Sequence, residues 1–127
     1  MYRTDMNKID EILKSKMNNY DKVKALNNVK GSIKQHRLEE ANDTGKIVLP
    51  SALIFGTLFS IDHTMFDALT GKDISSISNI NLAMFSAETL TGGASLLGIL
   101  FLLETLENYI TDIVEVNSYQ RRLKPHK

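Results

Sequence analysis

Three polar residues interrupt an otherwise apolar part of this chain: Asp62, His63 and Glu88. We call them the polar cluster. Their side chains are types that act as acids, bases or metal ligands, and a histidine beside carboxylates titrates near neutral pH. The polar cluster therefore predicts either a proton-responsive element or a polar plug that fixes the register of two helices. Two carboxylates and one histidine without helical ligand spacing do not predict a metal site, and we expect no cofactor.

Other catalytic patterns are missing from the sequence. The chain has no cysteine, which excludes disulfides, thiolate metal sites and cysteine nucleophiles. No serine stands in the GxSxG pattern of hydrolases. Gly92 and Gly93 lack the lysine and the flanking pattern of a phosphate-binding loop. We therefore predict that the protein is not an enzyme.

Charge is balanced over the whole chain but unevenly distributed along it. The 127 residues include 15 basic and 15 acidic ones, so no net field attracts nucleic acid, and we expect no nucleic-acid partner. The segment 47–104 carries only six charges, and Lys72 is its single basic residue. Most of the other basic residues precede this segment and the remainder follow it. This distribution predicts a membrane hairpin with both termini on the cytoplasmic side.

Two uncharged runs of fifteen residues, 47–61 and 89–103, lie within that segment. We call them the first and second arm. A helix needs roughly 20 apolar residues to span a bilayer, and shorter runs are more often buried core helices. The length of the arms is therefore compatible with a membrane and with a soluble core. Turn-forming residues between Asp67 and Ile80 separate the arms, which predicts an antiparallel helical hairpin.

Small residues recur at helical spacing in both arms and predict a helix-packing interface. Small side chains let helices approach closely where lipid removes the hydrophobic drive for association. We expect Gly56 and Gly98 to lie where the arms, or copies of the hairpin, come closest. The predicted interface residues are Ala52, Gly56, Ser60, Ala94 and Gly98.

The polar cluster should lie at one level of the hairpin. At 1.5 Å per helical residue, His63 lies about 25 Å beyond Lys46, and Glu88 lies about 24 Å before Glu104. In an antiparallel hairpin these distances match. We therefore expect the side chains of His63 and Glu88 to be close together, whether lipid or protein surrounds them.

Amphipathic sequence precedes the arms. Apolar residues recur every three or four positions from Met6 to Ile33, which predicts one helix or a helix pair. Asp5 is the expected N-cap. Asn18-Asn19 and Gly31 are weak points at which the helix can break. Turn formers at 42–46 predict that the helix ends there, in a hinge before the first arm.

Amphipathic sequence also follows the arms. The second arm is expected to continue as an amphipathic helix, and the chain closes with a basic tail in which Pro125 prevents further helix. Basic residues near both ends should form solvated helix faces. His36 and His126 lie in polar sequence, and we expect both to be solvated.

These patterns predict an all-α protein in three segments: polar amphipathic helix over 1–46, apolar hairpin over 47–104, and amphipathic helix end with basic tail over 105–127. The favoured function is that of a small integral membrane protein, a structural or assembly subunit or an oligomeric membrane effector. Its expected partners are the lipid bilayer and itself or other subunits of a complex. Its two-span topology is similar to that of holin-like pore formers, in topology alone.

The alternative function is that of a soluble all-helical protein. In that interpretation the apolar hairpin is buried against partner subunits of a larger assembly such as a virion. The sequence leaves both interpretations open, because a buried soluble hairpin shares the length of the arms and the level of the polar cluster.

Overall fold

The computed structural model describes residues 1–75 and 77–124, and these residues form helices without any strand. The helices are α1 (Arg3–Lys14), α2 (Asn19–Ile61), α3 (Thr64–Leu69) and α4 (Asn79–Leu123). The all-α class and the antiparallel helical hairpin are therefore confirmed. As predicted, α4 contains both the second arm and its amphipathic extension. The predictions for Pro125 and His126 lie outside the described residues.

The break between α1 and α2 falls at the predicted weak point. Asn18 caps α2, because its side-chain oxygen accepts a hydrogen bond from the backbone N–H of Asp21 at 2.8 Å. At the end of α1, the hydroxyl of Ser15 donates to the carbonyl of Ile12 at 2.7 Å. The prediction of Asp5 as N-cap was wrong, since α1 begins at Arg3 and Asp5 is buried in its first turn.

Helix α2 continues through the predicted hinge at 42–46, so that prediction was wrong. The side chains of Thr44 and Val48 fill the space next to Gly98 in α4. This tertiary contact favours helix over the local preference of the sequence for a turn, which amounts to only about 1 kcal/mol per residue. Pro50 also lies inside α2, where it removes one backbone donor without ending the helix.

The connection between α2 and α4 contains α3 and a tight turn. Gly71 has a φ of +84°, in the left-handed region that glycine adopts most readily. The hydroxyl oxygen of Ser78 then accepts a hydrogen bond from the backbone N–H of Asn81 at 3.2 Å, which caps the start of α4. Ser76, part of the predicted turn, lies outside the described residues.

Contacts divide the chain into two units. The first unit comprises Met1–Asn42 and Leu103–Lys127, and the second unit comprises Asp43–Leu102. These bounds lie close to the ends of the predicted apolar segment 47–104, although the three-segment division itself stays a prediction. The first unit has an apolar core to which α1, α2 and α4 contribute. Its buried members are Ile9, Leu26, Val29, Ile33 and Val116.

Candidate functional site

The fully buried residues of the second unit are polar or small, whereas the apolar side chains at the contact between its helices, such as Val48 and Phe55, are half-buried. The residues that this unit buries are acids, hydroxyl residues and a glycine, whereas every buried hydrophobic residue of the described chain lies in the first unit. A protein that folds in water has the opposite arrangement, with its apolar side chains inside. The buried residues of the second unit are Asp62, Thr64, Glu88, Ser95 and Gly98.

The exterior of the second unit is apolar. Two helices, α2 and α4, are long and apolar enough to span a membrane. None of the most apolar 18-residue stretch of α2 is buried, and only 11% of the corresponding stretch of α4 is buried. Large side chains in the arms are more than half exposed, such as Leu53 at 64%, Leu90 at 74% and Leu96 at 61%. An apolar surface of this extent indicates an interaction with lipid or with another protein.

Two glycines of α4 lie where α2 leaves no room for a side chain. A β-carbon placed on Gly98 would overlap the side chain of Val48. A β-carbon placed on Gly92 would lie 2.9 Å from two ring carbons of Phe55. At the neighbouring Gly93 a β-carbon would meet nothing within 4 Å. The close contact between the arms therefore depends on Gly98 and Gly92.

The predicted helix-packing residues occupy different positions. In the second arm, Gly98 is buried at the contact with α2 and Ala94 is half-buried. In the first arm, Ala52, Gly56 and Ser60 are exposed, and a β-carbon on Gly56 would meet nothing within 4 Å. The stripe on α2 therefore lies outside the contact between the arms. A contact of this stripe with another copy of the hairpin stays a prediction.

Two members of the polar cluster meet inside the second unit. Glu88 is fully buried and Asp62 is 4% exposed, and their carboxyl groups lie close enough to interact electrostatically. The Oδ1 atom of Asp62 accepts hydrogen bonds from Thr64, one from the hydroxyl at 2.8 Å and one from the backbone N–H at 3.3 Å. Neither Glu88 carboxyl oxygen has a hydrogen-bond partner among the described residues, and neither does Oδ2 of Asp62.

The third member of the polar cluster is placed differently from the expectation. His63 is exposed, and the group that acts on Glu88 is Asp62 rather than His63. His63 lies two residues beyond the end of α2 and directly before the first residue of α3, outside both helices. The sequence predicted that the end of α2 and Glu88 lie at the same level of the hairpin. It did not predict that Asp62, rather than His63, is the residue that interacts with Glu88.

A buried hydrogen-bond group in the first unit was missed by the sequence reading. Asp5 is fully buried, and its Oδ1 atom accepts a hydrogen bond from the hydroxyl of Ser32 at 2.9 Å. Its Oδ2 atom lies 2.9 Å from Nδ1 of His36. The prediction that His36 is solvated was therefore wrong, since two-thirds of its side chain is covered. This group fastens α1 to α2.

An ion-pair network in the same unit joins α2 to α4. Arg37 donates to Asp112 at 3.0 Å and to both carboxylate oxygens of Glu40 at 3.1 Å. Its guanidinium also lies 4.9 Å from the ring centroid of Tyr2, a cation–π contact. Arg37 was expected on a solvated face, but only 11% of its side chain is exposed. The network thus contributes to the packing of α1, α2 and α4.

The end of α4 is fixed to α2 by an amide. The side-chain nitrogen of Gln120 donates to the carbonyl of Val23 at 2.9 Å and to the side-chain oxygen of Asn27 at 2.7 Å. One residue earlier, the hydroxyl of Tyr119 donates to Glu115 at 3.3 Å. The negative charge of that carboxylate raises the pKa of Tyr119. These contacts are structural, because they satisfy polar groups that the helix packing partly covers.

The chemistry that these sites offer is limited. Among residues 1–75 and 77–124, no group of three or more His, Asp or Glu side chains is arranged to hold a metal ion. Comparison with protein-family models, with curated proteins and with solved structures finds no match to this chain. The two features that point to function are the apolar exterior of the second unit and the pair of buried carboxyl groups inside it.

Proposed function

We propose that this protein is a non-enzymatic integral membrane protein whose second unit is a two-span helical hairpin in the lipid bilayer. In this proposal the first unit is a helical domain outside the bilayer. The protein serves as a structural or assembly subunit of a membrane complex, or as an oligomeric membrane effector with the two-span topology of holin-like proteins.

The inverted burial of the second unit carries this proposal. The fully buried side chains of the unit are polar, whereas many of its Leu, Ile and Phe side chains are exposed. Burying apolar area from water is worth roughly 25 cal/mol per Å², so such a surface in water would drive aggregation. A lipid bilayer covers this apolar surface without any partner protein. Close helix contacts at glycine, like the one between the arms, are typical of helices packed within a bilayer.

The orientation of the hairpin follows from the basic residues. Lys72 is the only basic residue between the arms, whereas the first unit contains nearly all the others. Basic residues near membrane spans are retained on the cytoplasmic side. We therefore place both termini and the first unit in the cytoplasm, and the connection containing Lys72 on the opposite side of the membrane.

The exposed stripe of Ala52, Gly56 and Ser60 supports a role in assembly. These residues lie on the outside of α2 and take no part in the contact with α4. Membrane insertion gives all copies the same orientation, so the stripe of one hairpin can approach the stripe of another at the same depth. The first unit, which has an apolar core of its own, then presents its polar helices to partner subunits.

Membrane fractionation tests the proposal. We expect the protein to remain with the membrane through washes with high salt and alkaline carbonate, and to be released only by detergent. Introducing Leu96→Arg places a charge on the exposed surface of the second arm, at a cost of about 3 kcal/mol in the membrane interior. This variant should shift into the soluble or aggregated fraction.

The matched control is Ile110→Arg, an exposed position on the same helix in the first unit, which should fractionate like the wild type. Recovery of the wild-type chain as a monodisperse monomer without detergent would reject the membrane proposal. Recovery in a large soluble complex would favour the alternative, in which partner subunits cover the arms.

A further inference from the structure

We propose that Asp62 and Glu88 share one proton, so that the contact between the two ends of the hairpin is a proton-binding site. The site consists of these two carboxyl groups, with Asp62 at the end of α2 and Glu88 in the first part of α4. The inference goes beyond the membrane proposal and does not depend on it, since both side chains are buried by the protein itself.

The unpartnered oxygens point to a bound proton. Three carboxyl oxygens of the pair have no hydrogen-bond partner among the described residues: both oxygens of Glu88, and Oδ2 of Asp62. Two buried carboxylates side by side repel each other, and each loses its hydration. One proton removes the repulsion and creates a donor, because a protonated Glu88 can donate a hydrogen bond to Oδ2 of Asp62.

The surroundings of the pair decide which carboxyl group holds the proton. Asp62 already accepts two hydrogen bonds from Thr64, and these favour its charged form. Glu88 accepts none, so the proton lies on Glu88. The charged or titratable groups that act on the pair are the two carboxyl groups themselves and His63, which is exposed and adjoins Asp62. No basic group of the described residues compensates Glu88.

A proton fits this site better than a metal ion does. Calcium requires six to eight oxygen ligands, and magnesium requires near-octahedral geometry. The pair offers two carboxyl groups, and the described residues around it add no third acidic or histidine ligand. A shared proton needs no further ligand, because the protonated carboxyl group donates its hydrogen bond to the other carboxylate.

The consequence is a pH-dependent contact between the arms. At mildly acidic pH the folded hairpin binds one proton that the unfolded chain largely releases, so the folded state binds more protons. Stability then falls as the pH rises. Low pH tightens the junction between the end of α2 and α4, and loss of the proton loosens it through the repulsion between the two carboxylates.

The test uses the full chain in detergent micelles, with thermal unfolding followed by circular dichroism between about pH 5 and about pH 8. We expect the melting temperature of the wild type to fall by on the order of 5 °C across this range. Glu88→Gln should abolish this dependence, because it removes the group that holds the proton. Asp62→Asn should weaken it, because the repulsion between the carboxylates is lost while Glu88 remains buried. Glu104→Gln, which neutralises an exposed carboxylate on the same helix, is the control and should retain it.

Infrared spectroscopy gives a second measurement that does not depend on stability. At about pH 5 the wild type should show the carbonyl band of a protonated carboxyl group, and Glu88→Gln should lack it. An unchanged pH dependence in Glu88→Gln, or the absence of this band from the wild type, would overturn the proposal. A stabilisation by calcium or magnesium that Glu88→Gln abolishes would also overturn it, in favour of a cation site.

Discussion

Replacing Gly98 with leucine should separate the arms of the hairpin. A single β-carbon at this position already overlaps the side chain of Val48, and Thr44 lies just beyond. A leucine adds four carbon atoms to a space that is already occupied, and overpacking of this kind destabilises by about 3 kcal/mol. We expect amide hydrogen exchange in both arms to become faster, with the largest increases around positions 48 and 98.

Gly56→Leu is the matched control for this variant. It makes the same substitution in the other arm, where a β-carbon would meet nothing within 4 Å. Both variants replace a helical glycine, so both gain about 1 kcal/mol of intrinsic helix propensity, and the difference between them reports the contact between the arms. Gly56→Leu should leave the exchange of the arms unchanged and weaken only the association between copies. Equal exchange in the two variants would contradict the observed contact.

Replacing Asp112 with alanine should destabilise the first unit by about 3 kcal/mol, because it leaves the guanidinium of Arg37 without its buried partner. The side chains of Arg37 and Asp112 are only 11% and 6% exposed. The protein has no tryptophan, and its four tyrosines, Tyr2, Tyr20, Tyr109 and Tyr119, all lie in the first unit. Tyrosine fluorescence during urea unfolding therefore measures this unit alone.

Two further variants make the test specific. Glu107→Ala removes an exposed carboxylate from the same helix and should change stability by less than about 0.5 kcal/mol. The double variant Arg37→Met with Asp112→Ala removes both members of the pair and should recover part of the lost stability. The recovery is incomplete because the N-terminal amino group of Met1, 3.4 Å from Asp112, also loses its partner. A double variant as unstable as the sum of the two single variants would show that the pair does not act as one unit.

The hairpin could be predicted because the sequence patterns that indicate it lie within short stretches of the chain and occur in both arms. Two uncharged runs, a turn-rich connection and matching charged ends define an antiparallel pair of helices without any long-range information. The level of Asp62 and Glu88 followed from the same arithmetic. Which neighbouring side chain, Asp62 or His63, turns inward could not be deduced, because the chain leaves the helical path after Ile61.

The continuity of α2 could not be predicted, because local preference and tertiary packing conflict there. The composition of residues 42–46 favours a turn, yet Thr44 and Val48 pack against the backbone of Gly98, some fifty residues further along the chain. Sequence patterns contain the local preference, whereas the contact that overrides it exists only after α4 has packed.

The buried charges of the first unit had a signal that the sequence reading overlooked. Asp5 lies one helical turn before the core residue Ile9, and Asp112 lies one turn before Val116. Residues four apart share a helix face, so both acids belong to buried faces and require partners there. The identity of those partners, His36 and Arg37, depends on how the helices pack and is not encoded in the spacing.

Spin labelling tests the central claim, that lipid covers the arms, most directly. Because the protein has no cysteine, Leu53→Cys and Leu96→Cys each provide a single attachment site on the exposed surface of one arm. Glu39→Cys, at an exposed position of the first unit, is the aqueous control. In reconstituted membranes, labels at 53 and 96 should be relaxed by oxygen, which dissolves in lipid, and protected from a water-soluble nickel complex, whereas the label at 39 should show the reverse. Relaxation of the labels at 53 and 96 by the nickel complex would contradict a lipid-covered hairpin. Protection of these two labels from both oxygen and the nickel complex would also contradict it, because it would show that protein covers the arms.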